Sequence, residues 1–214
     1  AIILSSILVC RFVFLLPLVA KAQVTDIEGN VYKTVLIGDQ VWMAEDLRVS
    51  KYNDGTDIPF ITDKNIWANT STGAFCWFSN EESWGTLYNW YAVNTGKLAP
   101  VGWHVATDAD WTELTDFLEG EDVAGGKLKK KGIEIWGDPN IGATNIVGFT
   151  SIPGGCRELD GDFVSFGACA YYWTSTEWDL LNSLERQIMR HDTKVYREHV
   201  GKAYAFSVRC VKDL

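Results

Sequence analysis

Residues 102 to 120 read GWHVATDADWTELTDFLEG, the stretch that most limits what this chain can fold into. Thr107 stands where a helix N-cap belongs, and Asp110, three residues on, completes an acidic version of the capping box. Asp108 and Asp110 also suit the positive end of the helix dipole. Trp111, Leu114, Phe117 and Leu118 recur at three- and four-residue steps, which makes one apolar face. Gly120 stops the run. Thr107 to Glu119 is therefore expected to be an amphipathic helix, entered from a strand carrying Trp103, His104 and Val105. Its acids cap a helix and are not paired for acid–base chemistry. His104 reads as a packed, hydrogen-bonded histidine.

Around this helix the pattern is mostly β. In VTDIEGNVYKTVLIGDQVWMAEDL, residues 24–47, two turn signals separate short runs rich in Val, Ile and Tyr, which predicts a meander. Val31, Thr34, Leu36, Val41 and Met43 are its candidate core residues. Residues 48–83 are polar and irregular, with a turn at Asn53-Asp54-Gly55 and an aromatic knot at Phe75, Trp77 and Phe78. Loops this long are usually functional or stapled. Leu87, Trp90 and Tyr91 suggest a short helix. A second helix is expected over Val123 to Lys131, weakened by Gly125 and Gly126. The lysine run 129–131 reads as a solvated face. From Phe149 onward the text is β again, with a hairpin turn at Asp160-Gly161-Asp162. No linker or internal repeat divides the chain, so residues 23–214 read as one α+β domain.

Residues 1–22 are almost uncharged and end in Ala20-Lys21-Ala22, a small-x-small cleavage signature. They read as a signal peptide, with Gln23 the mature N-terminus and no membrane insertion after cleavage. The formal net charge is −9, and loss of Arg11 and Lys21 makes it more negative. An acidic surface argues against nucleic acid, whose phosphates need Lys and Arg, and against anionic membranes. Cys76, Cys156, Cys169 and Cys210 remain beyond the leader, and an even count in an exported protein suggests two disulfides. The preferred pairing is Cys156 with Cys169 and Cys76 with Cys210. Zinc is the rival reading, disfavoured because there is no CxxC and only three histidines. The chain has ten tryptophans, enough to leave a surplus beyond the core for stacking on a ligand.

LYNWYAVNTGKLAPVGWHVATDADWTELTDFL, AGGKLK, PNIGATNIVGFTSIPGGCRELDGDF, YYWTSTEW and FSVRCVKD follow one another in this chain. In that order they resemble the Fibrobacter succinogenes major paralogous domain, a family of secreted or surface proteins common in Fibrobacter and Bacteroidota. A more distant similarity, carried by GWHVATDADWTEL, WTSTE and FSVRCV, is to the formylglycine-generating (sulfatase-modifying factor) fold, a relative of C-type lectin domains. That likeness implies a C-type-lectin-like plan: twisted antiparallel sheets, two flanking helices and long irregular loops. Formylglycine-generating enzymes use a close cysteine pair near the C-terminus. Here Cys210 has no such neighbour in sequence, so that enzyme activity is not expected.

No GxSxG, HExxH or phosphate loop occurs. The binding candidates are Arg157, Glu158, Asp160 and Asp162 in CRELDGDF, and Glu177 with Trp178 just past a strand. Charged groups beside an exposed aromatic suit a sugar. Asp138, Asn140 and Asn145 could hold a structural calcium ion, since oxygen ligands cluster there; otherwise no cofactor is expected. The chain is thus expected to be a secreted or cell-surface recognition or adhesion module without enzymatic activity, its partner a polysaccharide or a surface protein. An oxidase related to the formylglycine-generating group and a structural subunit of a surface assembly are the alternatives.

Overall fold

The computed structural model describes residues 23–214, so the expected signal peptide lies outside the described residues. The first half holds β1 (Gln23–Thr25), β2 (Val31–Ile37), β3 (Gln40–Met43), α1 (Lys64–Ala68), β4 (Phe75–Trp77), β5 (Thr86–Asn89), α2 (Trp90–Val93), β6 (Trp103–Val105), α3 (Asp108–Phe117) and α4 (Glu121–Leu128). The second half holds β7 (Cys156–Arg157), β8 (Phe163–Val164), β9 (Cys169–Glu177), β10 (Asn182–Met189), β11 (Val195–Gly201), β12 (Ala205–Phe206) and β13 (Cys210–Lys212). They form three antiparallel sheets, ordered β1-β2-β3-β13-β6, β11-β10-β9 and β4-β5-β12-β7-β8. The class is α+β, mostly antiparallel sheet with few helices.

The capped helix forms as its sequence requires. Thr107 Oγ1 accepts from the Asp110 N–H, and the Asp110 carboxylate accepts from the Thr107 N–H at 2.7 Å. Trp111, Leu114 and Leu118 are buried, and Trp111 meets Trp42, Phe149 and Tyr172 at ring separations of 5.2 to 5.6 Å. Such aromatic pairs add to the plain burial of their area. Phe117 departs from expectation: it is exposed, because it lies at the edge of the arc centred on Trp111, Thr115 and Leu118, and it covers the turn at Gly38 instead.

The meander is present as β1–β2–β3, with Met43 buried as expected, but the other buried positions differ from those expected. Tyr32, Ile37, Trp42 and Met43 are buried, whereas Val31 and Leu36 are exposed. Tyr32 and Met43 belong to one core cluster and Ile37 and Trp42 to the other, on opposite faces of the pleat, so both faces of this sheet meet core and simple alternation could not pick one. The helix expected around Leu87 is half strand: β5 runs to Asn89, whose side chain then caps the single turn of α2.

Gly125 and Gly126 belong to α4 for a packing reason. A Cβ at Gly125 would lie 2.5 Å from the Lys194 carbonyl oxygen, and one at Gly126 would lie 2.7 Å from that of Gly142. Only glycine allows that approach.

Two expectations about charge and sulfur are corrected. Lys129 is not on a solvated face. It is fully buried, and its Nζ donates to the carbonyls of Ile141 (2.8 Å), Met189 (3.0 Å) and Asp192 (2.7 Å). Burial pulls its ammonium down to about 8. Cys76, Cys156, Cys169 and Cys210 are all free thiols. Cys76 packs with Trp67 and Leu87, while Cys210 belongs to the larger core with Val105 and Val208, so different clusters hold the two. The parallel bridge between Gly155 and Ala170 aligns Cys156 with Tyr171, two places out of step with Cys169.

Candidate functional site

β4 and β5 pair with Trp77 opposite Thr86. The chain between them makes two 3₁₀ turns, Phe78–Asn80 and Glu82–Trp84, joined through left-handed backbone at Ser79 (φ 51°) and Asn80 (φ 61°). Gly85, at φ 103°, then returns the chain to the sheet, a conformation that favours glycine. The result stands Trp84 on the surface. It is 46 % exposed and packs edge-on against Phe166 at 4.5 Å, with Phe166 continuing to Phe78 and Phe163. Trp77 leans on the exposed Phe60 at 4.5 Å.

Trp77 and Trp84 line one groove of about 620 Å³, together with Glu28, Arg48, Ser50 and Thr86. The polar groups are held in place. Glu28 accepts from the Ser50 N–H and the Ser50 hydroxyl, each at 2.6 Å. The Arg48 guanidinium lies over the Tyr32 ring at 4.4 Å, pairs with Glu45 at 3.3 Å and donates to the Val31 carbonyl at 3.0 Å. Tyr32 is in turn anchored on Asp26 at 2.7 Å.

Beside the groove lies a smaller recess of about 210 Å³, bounded in part by Asp46 and Arg209. These two form a buried ion pair. Arg209 also donates to the carbonyls of Phe149 (2.6 Å), Met43 (3.1 Å) and Thr150 (3.1 Å), and it lies over the Phe149 ring at 4.3 Å. Burial pushes the Asp46 carboxyl up, and Arg209 opposes that shift. An open depression of about 670 Å³ between the β2–β3 turn and α3 is larger than the groove. Its one aromatic is Phe117 and its charged groups are all acidic, a poorer platform for a polar ring.

The residues expected to bind ligand lie elsewhere, at one end of the sheets. Leu159 sits over Gly201, which pairs with Asn182, so the 158–162 turn and the β9–β10 turn are neighbours. Arg157 does not present its charge. It is 1 % exposed, donates to the carbonyls of Gly161, Ile61 and Thr62, and stacks over Trp67 and Phe163. A guanidinium bound so fully ties a hairpin to its neighbour. Glu158 is half-buried. Asp160 accepts from the Asp162 N–H at 3.0 Å, and Asp162 pairs with Lys64 at 2.5 Å. Glu177 is paired with the buried Lys202. Trp178 is 52 % exposed and stacks on His199 at 4.9 Å, with Leu180 and Leu181 exposed beside it.

Of the three calcium candidates, Asp138 is exposed. Asn145 holds Thr150 with both ends of its amide. Asn140 is buried and donates to the carbonyls of Lys130 and Gly132, leaving its Oδ1 without a partner among the described residues.

Trp84 and Arg48, the residues sequence reasoning passed over, lay in segments read only as loop. The one available signal was a lone tryptophan among acids and glycine in NEESWG. Buried tryptophans need no such polar setting.

Fold and site together define an α+β domain of three antiparallel sheets with an open aromatic groove. The Fibrobacter succinogenes major domain matches residues 35–212, and the chain belongs to that family. No curated protein and no solved structure matches it. No helix among the described residues is long and apolar enough to cross a membrane.

Two titrating groups make the fold less stable as pH rises. His104 bridges Asp110 (3.1 Å) and Asp213 (2.8 Å). The bond to Asp110, then that to Asp213, raises it to about 9, against partial burial. A raised folded value means that the stabilisation is complete below about 6.5 and lost as pH rises through about 9. His104 is more than a third exposed, so screening cuts this to about 1 kcal/mol. Buried Glu185, with Oε2 unpartnered among the described residues, is pushed up to about 8, by burial first and then by Glu198. It acts in the same sense between about 4.5 and 8. Urea midpoints should therefore fall from pH 6 to 8; above that, Lys129, whose ammonium burial pulls down to about 8, acts in the opposite sense and offsets part of the His104 loss. His104→Gln should flatten the upper part of that fall and Glu185→Gln the lower. A midpoint constant over this range would contradict both assignments.

Proposed function

We propose that the domain is an exported recognition module, without enzymatic activity, that binds a carbohydrate chain in the groove between Trp77 and Trp84. One observation carries the reading: the exposed Trp84 and the half-buried Trp77 line a groove that also holds a fixed cation, a fixed carboxylate and the hydroxyls of Ser50, Ser83 and Thr86. Indole faces stack on the apolar face of a sugar, and the polar groups take its hydroxyls. The antiparallel sheets, with α3 and α4 packed on them and long loops between, support a C-type-lectin-like plan. Cys210 is wholly buried and its thiol is pushed up by burial, the reverse of a reactive thiolate; this supports the non-enzymatic reading.

The test is retention of residues 23–214 on a panel of plant and bacterial polysaccharides. Trp84→Ala should weaken binding by about thirtyfold, the usual cost of losing a central aromatic anchor. Because the groove's polar groups are side chains of the protein, binding should persist with chelator. Trp178→Ala should leave it unchanged. Loss with Trp178→Ala and not with Trp84→Ala would move the site to the β9–β10 turn. The exposed Trp178, Leu180 and Leu181 favour a second reading, in which that turn docks on a surface protein. No retention on any polysaccharide would leave this second reading.

A further inference from the structure

The groove and the smaller recess share Arg48, Trp84, Gly85, Thr86 and Ile152 as walls. They are one continuous surface with two chemistries. The groove is mixed polar and aromatic. The recess adds Ala44, Leu47 and Gly154, the hydroxyl residues Thr150 and Ser207, and the charged Glu45, Asp46 and Arg209; the surface it offers is mainly carbon, and its charges are already paired, Asp46 with Arg209 and Glu45 with Arg48. Arg209 is satisfied by Asp46 and three carbonyls. Of the hydroxyls in its wall, that of Thr150 already donates to the Gly148 carbonyl and accepts from Asn145, so a sugar hydroxyl entering here would regain few of the partners it loses with water, which costs free energy. A carboxylate would meet Glu45 and Asp46 in the recess and Glu28 and Glu82 in the groove. The substituent that fits is small, uncharged and apolar at its tip.

Arg48 stands at the junction. Among the described residues its side chain donates to Glu45 and to the Val31 carbonyl. A guanidinium has five N–H donors, so donors remain for an acceptor at the mouth of the recess. A carbonyl followed by a methyl group matches that order of donor and then carbon wall.

We propose, on the carbohydrate reading above, that the ligand is an acetylated glycan whose acetyl group occupies this recess. The acyl oxygen accepts from Arg48, and the methyl enters beside Ile152 and Gly154. The same chemistry occurs as an ester on a sugar hydroxyl and as an amide on an amino sugar, so the test has two arms.

In the first arm, acetylated xylan is compared with the same xylan after saponification. In the second, N-acetylchito-oligosaccharides are compared with cello-oligosaccharides of equal length, which lack the acetamido group and are also uncharged. The acetylated member of at least one pair should bind about tenfold more tightly, combining methyl burial with one added hydrogen bond. Preference in one arm alone supports the proposal and identifies the linkage. Gly154→Val narrows the recess. A Cβ at Gly154 would meet the Ser207 hydroxyl at 3.3 Å and nothing nearer. The variant should lose the preference and keep the weaker binding of the unacetylated member. Equal affinity within both pairs for the wild type overturns the acetyl assignment and leaves the carbohydrate reading standing. A preference that survives in folded Gly154→Val also overturns it. No binding of any member overturns both. Should Gly154→Val not fold, the wild-type comparison decides alone.

Discussion

Arg209→Met should lower stability by about 4 kcal/mol, the usual penalty for removing one partner of a buried ion pair. Its guanidinium is 1 % exposed and serves the Asp46 carboxylate and the carbonyls of Met43, Phe149 and Thr150 at once. Methionine keeps much of the volume and satisfies none of these acceptors. Asp46 would then be a buried carboxylate without its counter-charge. The double variant Asp46→Leu/Arg209→Met should recover part of the loss, because it removes the stranded charge as well. Urea unfolding followed by tryptophan fluorescence reads both. A loss below about 1 kcal/mol for the single variant would mean that water reaches the pair and screens it.

Lys129→Met should cost about 3 kcal/mol, for a related reason. One ammonium gathers the carbonyls of Ile141, in the loop after α4, and of Met189 and Asp192, at the end of β10 and in the turn that follows it. Without it three acceptors are left facing each other in a dry interior. Lys130→Met and Lys131→Met are the internal control, since both side chains are exposed. Each should change stability by less than about 0.5 kcal/mol. Equal effects at all three positions would return the run to the solvated face that its composition suggests.

The lysine run shows where sequence reading stopped. Three consecutive lysines share one composition and one hydropathy. What separates Lys129 from its neighbours is that α4 ends at Leu128 and the next residue points into a cage built by loops some ten and sixty residues further on. No local pattern encodes that cage. Arg157 teaches the same lesson. A charged residue beside a turn reads as a presented ligand group, yet the carbonyls of Ile61 and Thr62 reach it from nearly a hundred residues away. The aromatic groove was illegible for the same reason. Trp77, Trp84, Arg48 and Glu28 sit in three stretches that only the pairing of β4 with β5, and the anchoring of Ser50 on Glu28, bring together.

By itself the sequence determined what depends on neighbours along the chain. The capping box at Thr107 and Asp110, the hairpin at Asp160-Gly161-Asp162, the meander and the α+β class all rest on contacts within a few residues. So does family membership, since it is a matter of ordered local motifs. The tertiary structure alone decided which positions of β2 were covered, which charges were buried, that four cysteines stayed apart and where two tryptophans would flank one groove. Those outcomes depend on burial and on partners distant in sequence. The free energy of a charged or aromatic side chain is set by what surrounds it after folding, and that environment is not written at its own position.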